Sequence, residues 1–435
     1  MVSWWVFQMF KPSRLWYTET MEKSHPVIVV GAGVAGLCCA LDLKREGVSV
    51  LVVEKSDAVG GRVRTDEVNG FRLDRGFQVW LEAYPECTKR LSEEALKPGA
   101  FASGAILFDG TQLRRFPDPF RHPSLAFEGI FHPVGSLKDK LLMQKLRSTL
   151  AKIPVDHLFA GEEKTTLDLW KEVGISDRMI DGFLTPFFRG IFLAEPDQVS
   201  RRMFDFVYAM FGKGRAMLPK FGIGAIPEFL TSELSDQELR LNTEIGKVES
   251  TRVVTSEGEE IAASAVVIAV DDPVQLGYQV DKVPTESRSV ICLYFDASKP
   301  PVEGPWLVLN GTKGGLVNQI SVNSSVVEGV APEGRHLIAV SLKADSELET
   351  TARVRSVTNE LHQWFGTQVE GWKFLKEYRI KHALPAFTPG QLPGPGIAEE
   401  GGVVLCGDGL RHPSLQGAME SGSMAAKRIL EKRES

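Results

Sequence analysis

A run of four β-branched residues, Val27-Ile-Val-Val30, leads into Gly31-Ala-Gly-Val-Ala-Gly36 and then into a stretch carrying Leu37, Leu41 and Leu43 at helical spacing. This feature restricts the fold more tightly than any other, because it reads as a strand, a glycine turn and a helix in immediate succession. Gly31 permits the tight turn, Gly33 lets the backbone approach a pyrophosphate, and Gly36 allows the helix to lie close on the strand. The helix N-terminus offers free N–H groups and a positive dipole end to an anion. Val48-Ser-Val-Leu-Val-Val53 reads as a second buried strand ending in Glu54, eighteen residues past Gly36, where a carboxylate can accept both hydroxyls of an adenosine ribose.

Gly60-Gly61-Arg62 follows. An arginine behind a glycine pair, close to the ribose-binding acid, is placed to pair bidentately with a pyrophosphate resting on the first helix. At the glycine turn, Glu54 and the Gly-Gly-Arg element, the chain resembles the flavin family that contains phytoene desaturases, carotenoid isomerases, protoporphyrinogen oxidases and flavin amine oxidases. The resemblance implies an α/β fold: a Rossmann-type FAD-binding domain, discontinuous in sequence, with an inserted α+β substrate domain. It implies FAD, held without a covalent bond, and extends the cofactor site to Ala35, Lys55 and Gly61.

Further elements carry the likeness onward. Phe71 to Gln78 holds an Asp-x-Gly turn that would bring Gly76, Phe77 and Gln78 against the isoalloxazine. Lys220 to Pro227 resembles the glycine-rich entry to a helix returning to the cofactor domain, and Leu241 to Val248 reads as a strand whose Val248 backbone would hold the adenine. Near the C-terminus, Val403 to Asp408 would deliver Gly407 and Asp408 to the ribityl-pyrophosphate. The helix opening at Ser414-Leu-Gln-Gly-Ala-Met419 would aim Gln416, Gly417 and Ala418 at the flavin pyrimidine, its dipole favouring negative charge there.

These segments assign 25–105, 215–280 and 396–435 to the FAD-binding domain and 106–214 and 281–395 to the substrate domain, with 1–24 as an N-terminal extension. Ile261 to Val270 reads as one more buried strand of the cofactor sheet. Ser289 to Phe295, Trp306 to Leu309 and His336 to Ser341 read as the sheet flooring a cleft at the domain junction.

On the substrate side, Leu137, Leu141, Leu142, Leu146, Leu150 and Ile153 recur at helical spacing opposite Lys138, Lys140, Lys145, Arg147 and Lys152. Such a helix either packs on the core with a solvated basic face or rests on an anionic bilayer. Eight aromatics, Phe183, Phe187, Phe188, Phe192, Phe204, Phe206, Tyr208 and Phe211, crowd into under thirty residues; they serve the core or line a cavity for a hydrophobic small molecule. Flavin amine oxidases carry a lysine in the strand that Ser289 to Phe295 resembles, and none stands there, which counts against amine oxidation.

Acidic residues number 56 against 50 Lys and Arg, so no global basic field attracts nucleic acid. Five cysteines, an odd number with Cys38 and Cys39 adjacent, fit no zinc-ligand spacing and point to a reducing intracellular compartment, the cytoplasm or an organelle such as a plastid, with no structural metal. No His, Ser or Cys constellation suggests nucleophilic catalysis; His382 and His412 are expected to be structural or solvent-facing. The sequence does not identify the catalytic residues, and the flavin carries the chemistry: hydride passes from a substrate C–H to flavin N5, with quinone or dioxygen as electron acceptor. Three alternatives stand beside this desaturase- or oxidase-like activity on a carotenoid- or porphyrinogen-related substrate: a redox-neutral isomerase of the carotenoid-isomerase type, an amine oxidase, and a non-enzymatic lipid carrier resembling the GDP-dissociation inhibitors. The intact glycines, Glu54, Arg62 and Asp408 argue against the carrier. The aromatic-rich leader, with Trp4, Trp5, Phe7, Phe10, Trp16 and Tyr17, reads as a loosely packed extension, a targeting remnant or an interfacial anchor.

Overall fold

Every residue of β1 (Val27–Val30) is buried, as a strand covered on both faces of a parallel sheet requires. The turn after it bends through Gly31 at φ +105°, where a Cβ would stand 2.6 Å from the Ala269 carbonyl oxygen, and opens into α1 (Val34–Arg45). Gly36 lies on the inner face of α1, where a Cβ would come within 2.1 Å of the Gly31 oxygen; the close packing expected of it is what the backbone shows. β2 (Val50–Val53) then pairs in parallel with β1. The computed structural model describes residues 25–280, 284, 286–343 and 347–434, so the expectations for 1–24 lie outside the described residues.

Beyond β2, β3 (Thr65–Val68) and β4 (Phe71–Asp74) form a hairpin, followed by β5 (Trp80–Leu81), α2 (Pro85–Arg90) and β6 (Gly99–Ala100). β7 (Gly104–Phe108) and β8 (Leu113–Pro117) pair antiparallel before the chain turns helical through α3 (Ala126–Phe131), α4 (Leu137–Leu150), α5 (Thr185–Phe192) and α6 (Arg201–Lys213). β9 (Ala216–Leu218) pairs with β5 and β6, and α7 (Ala225–Thr231) leads to β10 (Leu239–Arg240), β11 (Ile245–Glu249), β12 (Arg252–Thr255), β13 (Glu260–Ala262) and β14 (Ala265–Ile268). The last third holds β15 (Ser287–Ala297), β16 (Val308–Asn310), β17 (Val317–Val322), β18 (His336–Leu342), α8 (Thr350–Phe365), β19 (Lys373–Pro385), β20 (Ile397–Glu400), β21 (Val403–Cys406) and α9 (Leu415–Glu434).

Two sheets organise the molecule. The first runs β10-β2-β1-β14-β21-β20, parallel except for β20, and so gathers strands from three distant parts of the sequence. Val27 and Val29 face α1 and α9, whereas Ile28 and Val30 face the meander β11-β12-β13. α9 approaches α1 at Gly422, where a Cβ would meet the Ala35 oxygen at 2.1 Å. The second sheet runs β19-β15-β18-β17-β16-β7-β8 and is covered on one face by α8 through Val357, Leu361 and Trp364. β7 enters it at Gly104, two residues ahead of the expected start of the substrate segment.

The structure corrects three readings. Leu241 to Val248 is not one strand: Asn242 at φ +52° breaks it, so β10 ends on the first sheet and β11 begins the meander. Ile261 to Val270 likewise divides between β13 in the meander and β14 in the first sheet. The helix expected over 137–153 ends at Leu150 and buries Asp139, Met143 and Leu150, leaving Leu137 and Leu141 exposed. Among the described residues no helix is long and apolar enough to cross a membrane.

Candidate active site

At the C-terminal edge of the first sheet, the strand ends and the α1 N-terminus converge on one cavity of about 1660 Å³. That exceeds the roughly 300–1,000 Å³ of a drug-sized ligand pocket and leaves room for a dinucleotide together with a second molecule. Gly33 sits at the N-cap of α1 with ordinary φ (−68°), no side chain caps the helix, and a Cβ there would meet nothing within 4 Å. The open backbone at this position is a cradle that a phosphate oxygen fits and a side chain would fill.

Glu54 projects from the end of β2, nine-tenths buried. Its Oε2 accepts from the Ala32 amide at 2.8 Å, and its Oε1 accepts from the Ser56 amide at 2.9 Å and the Ser56 hydroxyl at 2.6 Å. The carboxylate is thereby locked in position with further lone pairs open for ribose hydroxyls. Lys55 and Gly61 line the cavity beside it, as does Gly60, whose amide donates to the Ala32 oxygen at 2.8 Å.

Arg62 stands at the end of the same turn. Its guanidinium is engaged with protein, donating to Asp408 at 2.5 Å and to the Ala383 carbonyl at 3.0 Å, with Asp271 at 3.5 Å. Burial opposes its charge, but the carboxylates of Asp408 and Asp271 outweigh burial and hold it above its ordinary range. The arginine therefore ties the glycine-pair turn to the end of β21, 346 residues away, and lines the cavity from that position.

Gly76, at φ +85°, packs under Ile380, and Phe77 meets Phe101 edge-on at 5.8 Å. Gln78 donates to the carbonyls of Arg62 and Arg75 at 2.9 and 3.0 Å, so it holds the loop in shape while lining the cavity with its two neighbours. Gly31, Ala35, Gly407, Asp408 and Ala418 also line it.

Four expected cofactor residues stand back from the cavity. Gly36 serves packing, as described. Gln416 is buried, accepting from the Glu86 amide at 2.9 Å and donating to Glu420 at 2.8 Å, and so ties α9 to α2. Gly417 makes room for the preceding loop, since a Cβ there would come within 2.2 Å of the His412 oxygen. Val248 lies inside the meander core, its carbonyl accepting from the Tyr278 hydroxyl at 3.3 Å. The ladder between β11 and β12 is irregular between Ile245 and Lys247, and Ile245 and Gly246 reach the cavity instead.

Other lining residues were not read from the sequence. Asp271 and Asp272 follow β14, a position that could have been found from the rule that ligands gather at the carboxyl ends of parallel strands. Gln319 and Ser341, paired across β17 and β18, are polar residues in buried strands, and a polar side chain set into an apolar run was the available signal. His382 is exposed at the cavity rim. His412 is buried between the rings of Phe159 and Phe206, its Nδ1 3.0 Å from the Ser414 hydroxyl, and burial lowers its proton affinity.

Away from the glycine turn the same cavity runs between α4, α5 and α6. Of the eight crowded aromatics, Phe183, Phe187, Phe188, Tyr208 and Phe211 line it, whereas Phe192, Phe204 and Phe206 are core. β15 carries no lysine; among the described residues the lining lysines are Lys55 and Lys140, and Lys140 donates to the carbonyls of Ile130 and His132. All five cysteines are free and buried, and burial pushes Cys406 up to about 12, so at neutral pH it is a thiol.

Comparison with known proteins agrees with this geometry. Residues 34–430 match the profile of the flavin containing amine oxidoreductase family. Protoporphyrinogen oxidase 2 of Arabidopsis thaliana is 26% identical over 187 residues, 40% of this chain and 34% of that protein. Phytoene dehydrogenase of Streptomyces griseus is 28% identical over 288 residues, 57% of this chain and 54% of that one. The matched stretches thus span between a third and about half of these relatives' own lengths. Among solved structures, an oxidoreductase from Methanosarcina mazei superposes with a TM-score of 0.72 at 19% identity, covering 93% of this chain and all of that one. Cyclohexylamine oxidase from Brevibacterium oxydans does so with 0.68 at 18%, covering 94% and all of it. The fold is that of these oxidoreductases, a Rossmann-type domain with a substrate domain. With a profile match across most of its length, the chain belongs to the flavin containing amine oxidoreductase family.

Proposed function

We propose that this oxidoreductase binds FAD non-covalently and removes hydrogen from an apolar organic substrate, passing the electrons to a quinone or dioxygen. One observation carries the reading: a single cavity joins the glycine and Glu54 cradle to an arm walled by Phe183, Phe187, Phe188, Tyr208 and Phe211. When bound, the flavin supplies the two-electron chemistry.

The chain's own residues provide place and surroundings. The open N-terminus of α1 at Gly33 suits the pyrophosphate, and Glu54, fixed by three donated hydrogen bonds, suits the ribose. Gly76 to Gln78 and the start of α9 would bound the ring system. The aromatic arm excludes water and holds an apolar body in one orientation, which is where proximity contributes most. Gln319 and Ser341 offer a polar group of the substrate two hydrogen-bonding partners on an otherwise apolar floor. Cys406 sits within β21, directly ahead of Gly407 and Asp408, a position that supports a non-covalent flavin.

The test is an anaerobic screen in which purified protein with bound flavin meets polyenes, porphyrinogens and amines in turn. Bleaching of the visible flavin bands by a polyene or porphyrinogen, with product lighter by hydrogen, is the expected result. Bleaching by amines alone would reverse the substrate assignment, and product of unchanged mass would replace dehydrogenation by isomerisation.

A further inference from the structure

Among the described residues ten large apolar side chains stand exposed, and six of them, Phe120, Phe127, Ile130, Phe131, Leu137 and Leu141, fall within one short segment, 37–74% exposed. Single exposed apolar residues are ordinary; a concentration of this kind marks a contact surface. The six are held together. The rings of Phe127 and Phe131, one turn apart on α3, lie 4.4 Å apart. Lys140 binds α4 to α3 through the carbonyls of Ile130 and His132, and Arg147 of α4 lies over the Phe120 ring at 5.8 Å. Leu137 and Leu141 stand one turn apart on α4, with exposed Lys138 and Lys145 next to them around the helix.

Charge narrows the occupant. Residues 113–152 hold eight Lys and Arg against three acids, in a chain of formal net charge −6. Arg115 is offset by Glu128 and Arg147 by Asp118, whereas Lys138 and Lys145 form no ion pair among the described residues. A protein partner's surface is expected to meet a patch depleted of lysine, whereas an interfacial element sets lysines at the border of an apolar face. The patch also borders the cleft, because Phe120, Gly129, Lys140 and Arg147 line the cavity.

We propose that α3, α4 and the Phe120 loop dock on the surface of an anionic lipid bilayer. Phe127, Phe131, Leu137 and Leu141 enter the acyl boundary, Lys138 and Lys145 meet headgroup phosphates, and the cleft opens toward the layer in which apolar molecules dissolve. This goes beyond the oxidoreductase reading and does not depend on it, since docking is measured without turnover.

The test is co-sedimentation of the full chain, with flavin bound, on vesicles of phosphatidylcholine alone or mixed with phosphatidylglycerol. The expected result is binding to the mixed vesicles that weakens with salt. Replacing Lys138 and Lys145 together by Glu lowers binding more than tenfold, at roughly fivefold for each lysine lost. The Phe127→Ser/Phe131→Ser variant loses binding to both vesicles, with melting temperature and flavin spectrum retained as evidence that it folds. Binding that persists in both variants, or equal binding to neutral and anionic vesicles, overturns the proposal. So does a parent that ignores vesicles but self-associates or binds a protein through these residues, which would make the patch a protein interface.

Discussion

Two glycines in the same turn carry opposite burdens, and a single added methyl group separates them. At Gly31 the backbone is left-handed and a Cβ would strike the Ala269 oxygen at 2.6 Å, so Gly31→Ala is expected to destabilise the fold by roughly 1–3 kcal/mol, read by urea denaturation. Gly33 has ordinary dihedrals and free space at a helix N-cap, where threonine is as well tolerated as glycine, so Gly33→Thr should leave the melting temperature of the flavin-free protein unchanged while lowering flavin affinity more than about tenfold, read by titration against flavin fluorescence. An equal loss of fold stability in both would remove the distinction. Much of the site was legible at this scale because a pyrophosphate demands bare backbone, and bare backbone is written as glycine at fixed spacing. What the sequence hid was direction. Gln416 has the right neighbours for a cofactor contact, but its amide turns to Glu86 and Glu420, and nothing in a linear string distinguishes the two faces of a helix start.

Among the elements, β4 holds a titratable group that couples three segments. Asp74 accepts from the Thr65 hydroxyl of β3 at 2.6 Å and from the Ile223 amide ahead of α7 at 2.9 Å, and burial, outweighing both bonds, pushes its carboxyl from 3.8 up to about 7. Between those values the folded chain keeps a proton that the unfolded chain has released. Stability contributed by Asp74 is therefore full below about pH 4, falls as pH rises toward 7, and levels off above it. Asp74→Asn keeps an acceptor without the charge, so its stability relative to the parent should rise by on the order of a few kcal/mol from pH 4 to 8. Paired denaturation curves at those pH values check it; parallel pH profiles would show that Asp74 does not titrate in this range. At this scale the sequence reading erred wherever one apolar run served two sheets. β10 and β11 form a continuous pattern of residues, and only the left-handed Asn242 sends them to different layers.

At the scale of the whole molecule, the cavity draws its walls from segments around residues 31–62, 243–276 and 405–418, and a ligand that spans it would touch all of them. Ligand bound to the native state alone stabilises it by mass action, about 2.7 kcal/mol at a hundredfold excess over Kd. Added FAD should accordingly raise the melting temperature by a few degrees, and thermal denaturation with and without it is the check. A midpoint unmoved by FAD would mean that this cavity does not hold the coenzyme. The α/β class and the interrupted layout could be anticipated from motifs at both ends, whereas the exposed apolar patch of α3 and α4 could not, since an amphipathic pattern does not say which leucines a neighbouring helix will cover.

The bond between Arg62 and Asp408 has a consequence for how the protein is made. A ribosome delivers β1, the glycine turn and Arg62 first, but the partner that holds this arginine emerges 346 residues later, just after β21. Until then the nascent chain carries an incomplete first sheet with β14 lacking a neighbour on one side, a state open to aggregation and to chaperones. Completion of the pocket therefore waits for β21, and a messenger truncated before it is expected to yield a chain without the visible absorbance of bound flavin.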